Sequence, residues 1–455
     1  MKLHTAIFTG IFFLTGFFSV AQTNTTYGAS SGTNGTYNSF FGYQTAKSNT
    51  TGTFNTLVGA GAGYSNTTGR NNSFLGYQVG YRNTTGQYNT MLGDRSGFSN
   101  TTGSRNTFLG MFSGYNNTTG RRNTFLGMFS GYKNTTGYQN ILIGGYAGYS
   151  NTTGRNNSFI GHQAGYKNTS GYHNSFMGHR AGFSNTTGAY NTMLGDRSGY
   201  SNNTGRMNSF IGAFSGYKNT TGEYNTMLGG YAGHLNTTGS RNTFLGYQSG
   251  YSNSTAAYNT FIGMYAGRSS KTGANNTLIG YQSGYKLASG SGNVFLGRQT
   301  GYSELGSNKL YIDNSSTTVP LIYGDFSTNQ LGVNTNNIPT GYAFAVKGKV
   351  ITEEVKVQTY ATWPDYIFSK DYKLPTLKEV ATHIKEKGHL QDIPSAKEVR
   401  ENGIFLGEMD AKLLQKIEEL TLYTLQQEKK LTRQEKEISA LKAQFKQLKK
   451  LIQKN

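Results

Sequence analysis

Hydrophobic and polar residues recur along most of the chain with one fixed period. A glycine that follows an apolar pair, as in "TFLG", returns at Gly42, Gly59, Gly76 and at the same interval as far as Gly297, without a single insertion. Independent domains tolerate length changes in their loops, whereas coils stacked in register do not. The pattern therefore predicts a mainly β fold, a β-solenoid (β-roll) of 17-residue repeats over residues 38–306.

Two adjacent apolar columns precede this marker glycine. The aliphatic residue directly before it, such as Leu126, is expected to fill the core of the coil. The residue one place earlier, such as Phe125, then points the opposite way, because neighbouring residues of a strand face opposite sides. An exposed ladder of large apolar side chains indicates an interface. We therefore expect three solenoids to pack around an axis; the alternative is a wider monomeric coil that holds both columns inside.

Asparagine and glycine define the rest of the repeat. An Asn four residues before the marker glycine recurs in all sixteen coils, from Asn38 to Asn293, and is expected to form a stacked amide ladder. A second Asn opens each "NTTG" turn, where its side chain should cap the bend and the glycine should supply a positive φ. Gly80 and its equivalents are expected at the other corner. A second short strand is predicted near "GYKN".

The motif N-[TS]-Φ-Φ-G-x-x-[SA]-G, with Φ apolar, resembles the head repeats of trimeric autotransporter adhesins and the tandem repeats of bacterial tail-fibre-like surface proteins. The resemblance covers about residues 38–302. It implies a bacterial surface protein whose coils stack around a threefold axis. The tract from Tyr311 onward resembles the C-terminal module of tail-fibre-domain proteins, some of which cleave themselves, but it lacks the opening Ser-Asp/Arg/Lys signature of that family.

The remaining chain divides into three predicted segments. Residues 307–362 are a β-rich connector, and 363–410 are a small α-rich module in which Thr376 caps a helix. Residues 411–455 carry apolar heptads, which predict an α-helical coiled coil. The heptads fit a dimer as well as a trimer, and the trimer follows from the resemblance. A DNA-binding zipper needs a strongly basic helix directly before it, and the balanced charge of 395–412 excludes sequence-specific DNA binding.

The N-terminal residues 1–21 combine Lys2, an apolar run and small residues at a cleavage position, which predicts a secretory signal peptide. Residues 22–37 are then a lead-in or cap. No other apolar stretch is long enough to cross a bilayer, so the sequence predicts no transmembrane segment. The expected location is secreted, extracellular or at the cell surface. With no Cys in the chain, disulfides play no part.

The net charge of the chain is +20, of which residues 25–306 carry +15, from 19 Lys and Arg against 4 Asp and Glu. A basic exported surface fits an anionic glycan or another cell-surface ligand. The interpretation that the sequence favours is plainer, namely that charge of a single sign keeps a stack of sticky repeats soluble.

One column of candidate metal ligands emerges. His162, His179 and Asp196 each follow a marker glycine, so they lie in three successive coils about 5 Å apart. Such a set suits a transition metal. The competing interpretation is surface variation, because Tyr77 and Met111 occupy the same column.

No catalytic residue set and no cofactor site is recognisable, which predicts a protein that is not an enzyme. The sequence predicts a non-enzymatic, exported, adhesin-like surface fibre that forms a homotrimer and mediates attachment or matrix structure. The alternatives are a solenoid that binds ice or another crystal surface, and a self-processing tail-fibre-like protein.

Overall fold

A computed structural model describes residues 24–29, 31–358 and 363–453. The predicted signal peptide, residues 1–21, lies outside the described residues. The chain divides into two compact units, one ending at Lys349 and the other beginning at Val350.

The first unit is a β-solenoid with one short strand in each coil. Strands β1 to β18 pair in chain order, each parallel to the next, and from β2 to β17 the paired residues are 17 positions apart. The prediction of a mainly β, 17-residue solenoid is confirmed. The strands are β1 Thr25–Tyr27, β2 Ser39–Phe41, β3 Thr56–Val58, β4 Ser73–Leu75, β5 Thr90–Leu92, β6 Thr107–Leu109, β7 Thr124–Leu126, β8 Ile141–Ile143, β9 Ser158–Ile160, β10 Ser175–Met177, β11 Thr192–Leu194, β12 Ser209–Ile211, β13 Thr226–Leu228, β14 Thr243–Leu245, β15 Thr260–Ile262, β16 Thr277–Ile279, β17 Val294–Leu296, β18 Lys309–Ile312, β19 Ile322–Asp325, β20 Gln330–Val333 and β21 Phe344–Val346.

The stack of strands continues past residues 38–306 at both ends, with coils that are shorter than the regular ones. At the N-terminal end Thr25 pairs with Ser39, and at the C-terminal end Val294 pairs with Leu310. Strands β18, β19 and β20 then form an antiparallel meander, and β21 pairs parallel to β20. This meander covers the last parallel strand, whose edge would otherwise offer free backbone groups to another chain.

The side-chain directions of the strand are the reverse of the sequence prediction. We number each coil from its first Asn, so that in the coil 72–88 Asn72 has position 1 and Tyr88 position 17. Positions 1 and 3 point into the coil: Asn72 and Phe74 are 0% and 1% exposed, whereas Leu75 at position 4 is 50% exposed. The assignment of the aliphatic column to the core and of the Phe column to a partner was therefore wrong. Side chains alternate along a strand, so a buried position 1 requires a buried position 3.

The predicted second strand near "GYKN" is also absent from the coils that the structure describes. Residues 77–82 and their equivalents form turns. Gln78 (φ +51°) and Gly80 (φ +53°) both lie in the left-handed region, which is incompatible with an extended strand. Gly80 and its equivalents do make the corner that the sequence predicted, and a Cβ at Gly80 would lie 2.5 Å from the Phe74 ring.

The second unit is helical. It contains a short 3-10 helix, Pro364–Phe368, followed by α1 Leu377–Lys387, α2 Ala396–Asn402 and α3 Leu406–Ile452. Thr376 caps α1 as predicted, because its side chain accepts a hydrogen bond from the Glu379 backbone N–H, and the Glu379 carboxylate accepts one from the Thr376 N–H. Among the described helices, none is long and apolar enough to span a membrane.

Candidate interaction surfaces

Two columns of buried asparagines form the interior of the solenoid together with the apolar residue at position 3 and the Ala, Ser, Thr or Val at position 8. At position 1, the Asn72 backbone N–H and side-chain amide both donate to Oδ1 of Asn55 in the preceding coil, at 3.0 and 3.1 Å. The same side-chain amide donates to the Gly86 carbonyl at 2.9 Å. The predicted amide ladder is confirmed, and it satisfies polar groups that would be costly to bury unpaired.

The Asn of the "NTTG" turn, at position 12, forms a second ladder that the sequence analysis did not foresee. Asn83 donates to Asn66 Oδ1 at 2.9 Å and to the Gly86 carbonyl at 3.1 Å, so the predicted cap of the bend is confirmed. The predicted positive φ at Gly86 is wrong, since its backbone lies outside the left-handed region. Glycine is needed there for space, because a Cβ at Gly86 would lie 2.3 Å from Asn83 Oδ1.

The position-12 ladder ends before the solenoid does. It runs from Asn49 to Asn253, and the next coil has Ser270 at this position and the one after it Leu287. Both Asn253 Oδ1 and Ser270 Oγ are buried without a hydrogen-bond partner. The position-12 ladder therefore ends in a localised defect, at the boundary between its last Asn and the serine that follows.

The outer face of the parallel sheet is a ribbon without charge. We define the strand-face ribbon as positions 2 and 4 of the sixteen coils, from Ser39 to Leu296. Position 2 is Ser or Thr except at Ile141 and Val294, and position 4 is aliphatic except at Phe41. All the charged residues of these coils lie at other positions. The position-4 side chains are partly or largely exposed, which leaves an apolar and hydroxyl surface open.

A column of stacked aromatic rings at position 10 follows a different face of the solenoid. Twelve rings from Tyr64 to Tyr251 stack one on the next, with centroids 4.8–5.3 Å apart and planes within 15°. Arg268 then lies between the rings of Tyr251 and Tyr285, and Tyr302 continues the stack. The sequence signal for this aromatic column was the Tyr or Phe five residues after nearly every marker glycine.

The predicted metal ligands are only partly brought together. His179 Nδ1 lies 2.8 Å from Asp196 Oδ1, and both side chains are exposed by about two fifths. The His162 ring stacks on that of His179 with centroids 5.7 Å apart. Within the described residues no group of three His, Cys, Asp or Glu side chains is placed to hold a metal ion. Metal binding by this column stays a prediction.

Most of the apolar seam of helix α3 lies on the side that the rest of its unit leaves open, and around Leu431 it borders a groove that Leu374 and Leu377 also line. Tyr372 donates to Glu419 at 2.5 Å and Tyr423 donates to the Pro375 carbonyl, so the module covers the face of α3 that carries these groups. The heptad positions predicted for the coiled coil remain exposed. They include Leu413, Ile417, Leu420, Leu431, Ile438, Leu441, Phe445 and Leu448, which are 46–68% exposed.

The chain matches no protein-family model, no curated protein and no solved structure in the comparisons made with them. The fold itself defines the class: a β-solenoid structural repeat protein followed by a long C-terminal helix. Its most distinctive surfaces are the strand-face ribbon, the aromatic column and the exposed seam of α3.

Proposed function

We propose that this protein is a non-enzymatic, exported surface fibre of the adhesin-like type, whose copies associate as a homotrimer and which mediates attachment or matrix structure. The observation that carries the proposal is the uncharged strand-face ribbon. Two solenoids that each carry +15 repel one another, so they approach best through a face that has no charge.

The size of the ribbon supports association. Sixteen strands about 4.8 Å apart give a length of about 77 Å, and three residues at about 3.3 Å give a width of about 10 Å. The ribbon therefore offers about 770 Å² per copy, close to the roughly 800 Å² per partner of one stable specific interface. In a trimer this area is shared between two neighbours, so the α3 seam has to contribute to the association as well. The sequence also predicted an exposed apolar ladder on this strand. It assigned that ladder to position 3, whereas the structure exposes position 4.

The seam of α3 supports the same proposal independently. Its exposed apolar positions repeat with the heptad spacing of a coiled coil, and the helical module packs on a different face of α3. A helix of 47 residues that stands alone leaves its apolar stripe in water, and burying that stripe against other copies stabilises it. The trimeric state is taken from the resemblance to adhesin heads, since the heptads fit two strands as well as three.

Mass measurement by light scattering on the full mature chain tests the proposal. We expect about three times the chain mass for the native protein. Leu194→Glu with Leu228→Glu, both on the ribbon, should weaken association, and so should Ile438→Glu with Leu441→Glu on the seam.

The matched control is Met128→Glu with Met264→Glu, which adds the same charge at position 6, at side chains of similar exposure. It should leave the mass unchanged. A monomeric native protein would sink the proposed assembly. N-terminal sequencing of secreted material tests export separately.

A second candidate function is binding to ice or another crystal surface. The ribbon favours it, because position 2 places a Ser or Thr hydroxyl at a regular spacing of about 4.8 Å on a face without bulky charges. Thermal hysteresis of the native protein, abolished by Thr192→Glu and Thr226→Glu, would place this function first. The self-processing alternative predicts a C-terminal fragment on expression.

A further inference from the structure

About half of the positive charge of the solenoid lies beside the aromatic column, and most of the rest, seven Arg residues, lies at positions 16 and 17. Positions 7, 10 and 11 carry ten of its 19 Lys and Arg residues and no Asp or Glu. We define the basic track as the aromatic column together with these cations, which are Lys47, Arg82, Arg95, Lys133, Lys167, Arg180, Arg197, Lys218, Arg268 and Lys286.

The cations of the track lie against the stacked rings. Lys133 Nζ lies 5.4 Å from the ring centroid of Tyr149 in the next coil, and Lys167 and Lys286 repeat this contact at the same distance on Phe183 and Tyr302. Because neighbouring rings already stack on these rings, the attraction between cation and ring adds at most about 0.5–1 kcal/mol. The ammonium groups therefore follow the ring stack along the solenoid axis.

The same cations have no internal counter-charge. Within the described part of the solenoid coils, the ion pairs are His179 with Asp196 and Arg206 with Glu223, and neither involves a cation of the track. The Lys residues at position 11 are all exposed. An ordered row of unpaired cations attracts an external polyanion, because binding releases the small counterions that the polyanion would otherwise gather.

We propose that the basic track binds a linear acidic polysaccharide laid along the solenoid axis. This inference rests on the proposed function, since it names the ligand through which the fibre attaches. A linear polymer fits because the ten cations run beside the aromatic column across a stretch of fifteen coils, from Lys47 to Lys286, and a compact anion would use only one or two of them.

The geometry of the rings favours a polysaccharide over a nucleic acid. Proteins bind single strands by stacking bases on free aromatic faces. Here each ring face is already covered by the ring of the neighbouring coil, so mainly ring edges and phenol groups meet the ligand. Burial, together with the neighbouring phenols, raises the pKa of Tyr132 and of Tyr166, and neutral phenol hydroxyls can donate hydrogen bonds to an acidic ligand. A chain of carboxylates or sulfates and hydroxyls is the complementary partner.

Binding of the full mature chain to immobilised alginate and dextran sulfate tests the proposal across a salt series. The track variant carries Lys133→Ala, Lys167→Ala and Lys218→Ala. The matched control carries Arg70→Ala, Arg121→Ala and Arg155→Ala, which removes the same charge at position 16, and Arg155 also loses a ring contact. We expect the track variant to bind roughly tenfold or more weakly at about 0.15 M salt, with a salt slope smaller by about 2, and the control to stay within about twofold.

Equal losses in the two variants would overturn the proposal, because the charge would then act without a defined site. No binding of the native protein at about 0.15 M salt, or tighter binding of single-stranded DNA than of either polysaccharide, would also overturn it. Light scattering of the native protein and the two variants separates the two proposals. If the chain assembles but the track variant and the control bind equally well, the binding proposal is wrong and the proposed assembly stands. If the native chain is monomeric, the proposed assembly is wrong.

Discussion

Replacing Ser270 with Asn should repair the defect at the end of the position-12 ladder. In every intact coil of the ladder the side-chain amide donates to the preceding Oδ1 at 2.7–2.9 Å. The introduced amide would supply the donor that Asn253 Oδ1 lacks. Gly273, three residues on, keeps the room and the carbonyl that the second donor hydrogen needs.

The gain follows from the hydrogen-bond count. The native protein buries two polar atoms without a hydrogen-bond partner here, Asn253 Oδ1 and Ser270 Oγ. The variant buries only one, the new Oδ1 at position 270, because the next residue of the column is Leu287. Two bonds worth about 0.5–1.5 kcal/mol each are added, and one orphan costing about 1–3 kcal/mol is removed. Fitting a larger side chain beside Leu287 costs part of this gain. We therefore expect the free energy of unfolding of this region to rise by about 2 kcal/mol.

Hydrogen exchange on the full chain measures this gain locally, which matters because a chain of two units need not unfold in one step. Amides of residues 253–290 should exchange roughly thirty-fold more slowly, since about 1.4 kcal/mol is a factor of ten. Ser269→Asn makes the same chemical change one residue away, outside the ladder, and the coils around Asn151 serve as an internal reference. If Ser270→Asn protects this region no better than Ser269→Asn, the unpaired atoms are not a significant cost and the ladder argument fails.

Three further predictions test the core, the C-terminal meander and the metal column. Phe125→Ala should destabilise the solenoid by about 3–5 kcal/mol in denaturant unfolding, and Leu126→Ala by less than about 1 kcal/mol; the opposite order would restore the original assignment of the two columns. Burial alone would raise the pKa of Asp325, but hydrogen bonds from Lys309 and a neighbouring serine outweigh it and lower the pKa to about 2. Because the pKa of Asp325 is depressed in the folded state, the ionised carboxylate contributes its full stabilisation above the ordinary pKa of about 3.9, and this contribution is lost as the pH falls through about 2. In an acid-unfolding experiment, the stability of the meander should therefore depend less on pH in Asp325→Asn than in the native protein. Zinc or nickel that is retained by the native protein and lost in His179→Ala would support the metal column, whereas no retained metal in the native protein would end that hypothesis.

The period and the amide ladder were predictable because stacking in register leaves a direct trace in the sequence. An invariant length and an invariant Asn have few explanations other than coils that repeat on top of one another. The two apolar columns were not separable in the same way, since Phe125 and Leu126 are both good core residues. The deciding fact is that Asn at position 1 is buried. Because side chains alternate along a strand, position 3 must then point inward and position 4 outward. A polar interior is unusual enough that hydrophobicity alone assigns the wrong side.

The candidate surfaces were less accessible from the sequence than the fold. The residues of the strand-face ribbon can all be read from the sequence. The ribbon was missed because the sequence interpretation placed its Leu residues in the core and the neighbouring Phe residues outside. The Tyr and Phe residues at position 10 are evident in the sequence. Only the structure shows that each ring face is covered by the ring of the neighbouring coil. The shorter end coils fall outside the strict period, and a search for that period cannot find them.

Because the coils from Asn38 to Asn253 repeat the same ladder contacts, the solenoid has a natural unit of variation. Deleting or duplicating one whole repeat between two equivalent asparagines would shorten or lengthen the stack by about 4.8 Å and keep every column in line. A change that is not a multiple of 17 residues would shift the asparagine columns out of register. The length of the solenoid can therefore be adjusted in discrete steps by recombination between its own repeats, while the buried asparagine ladders and the strand-face ribbon keep the same pattern.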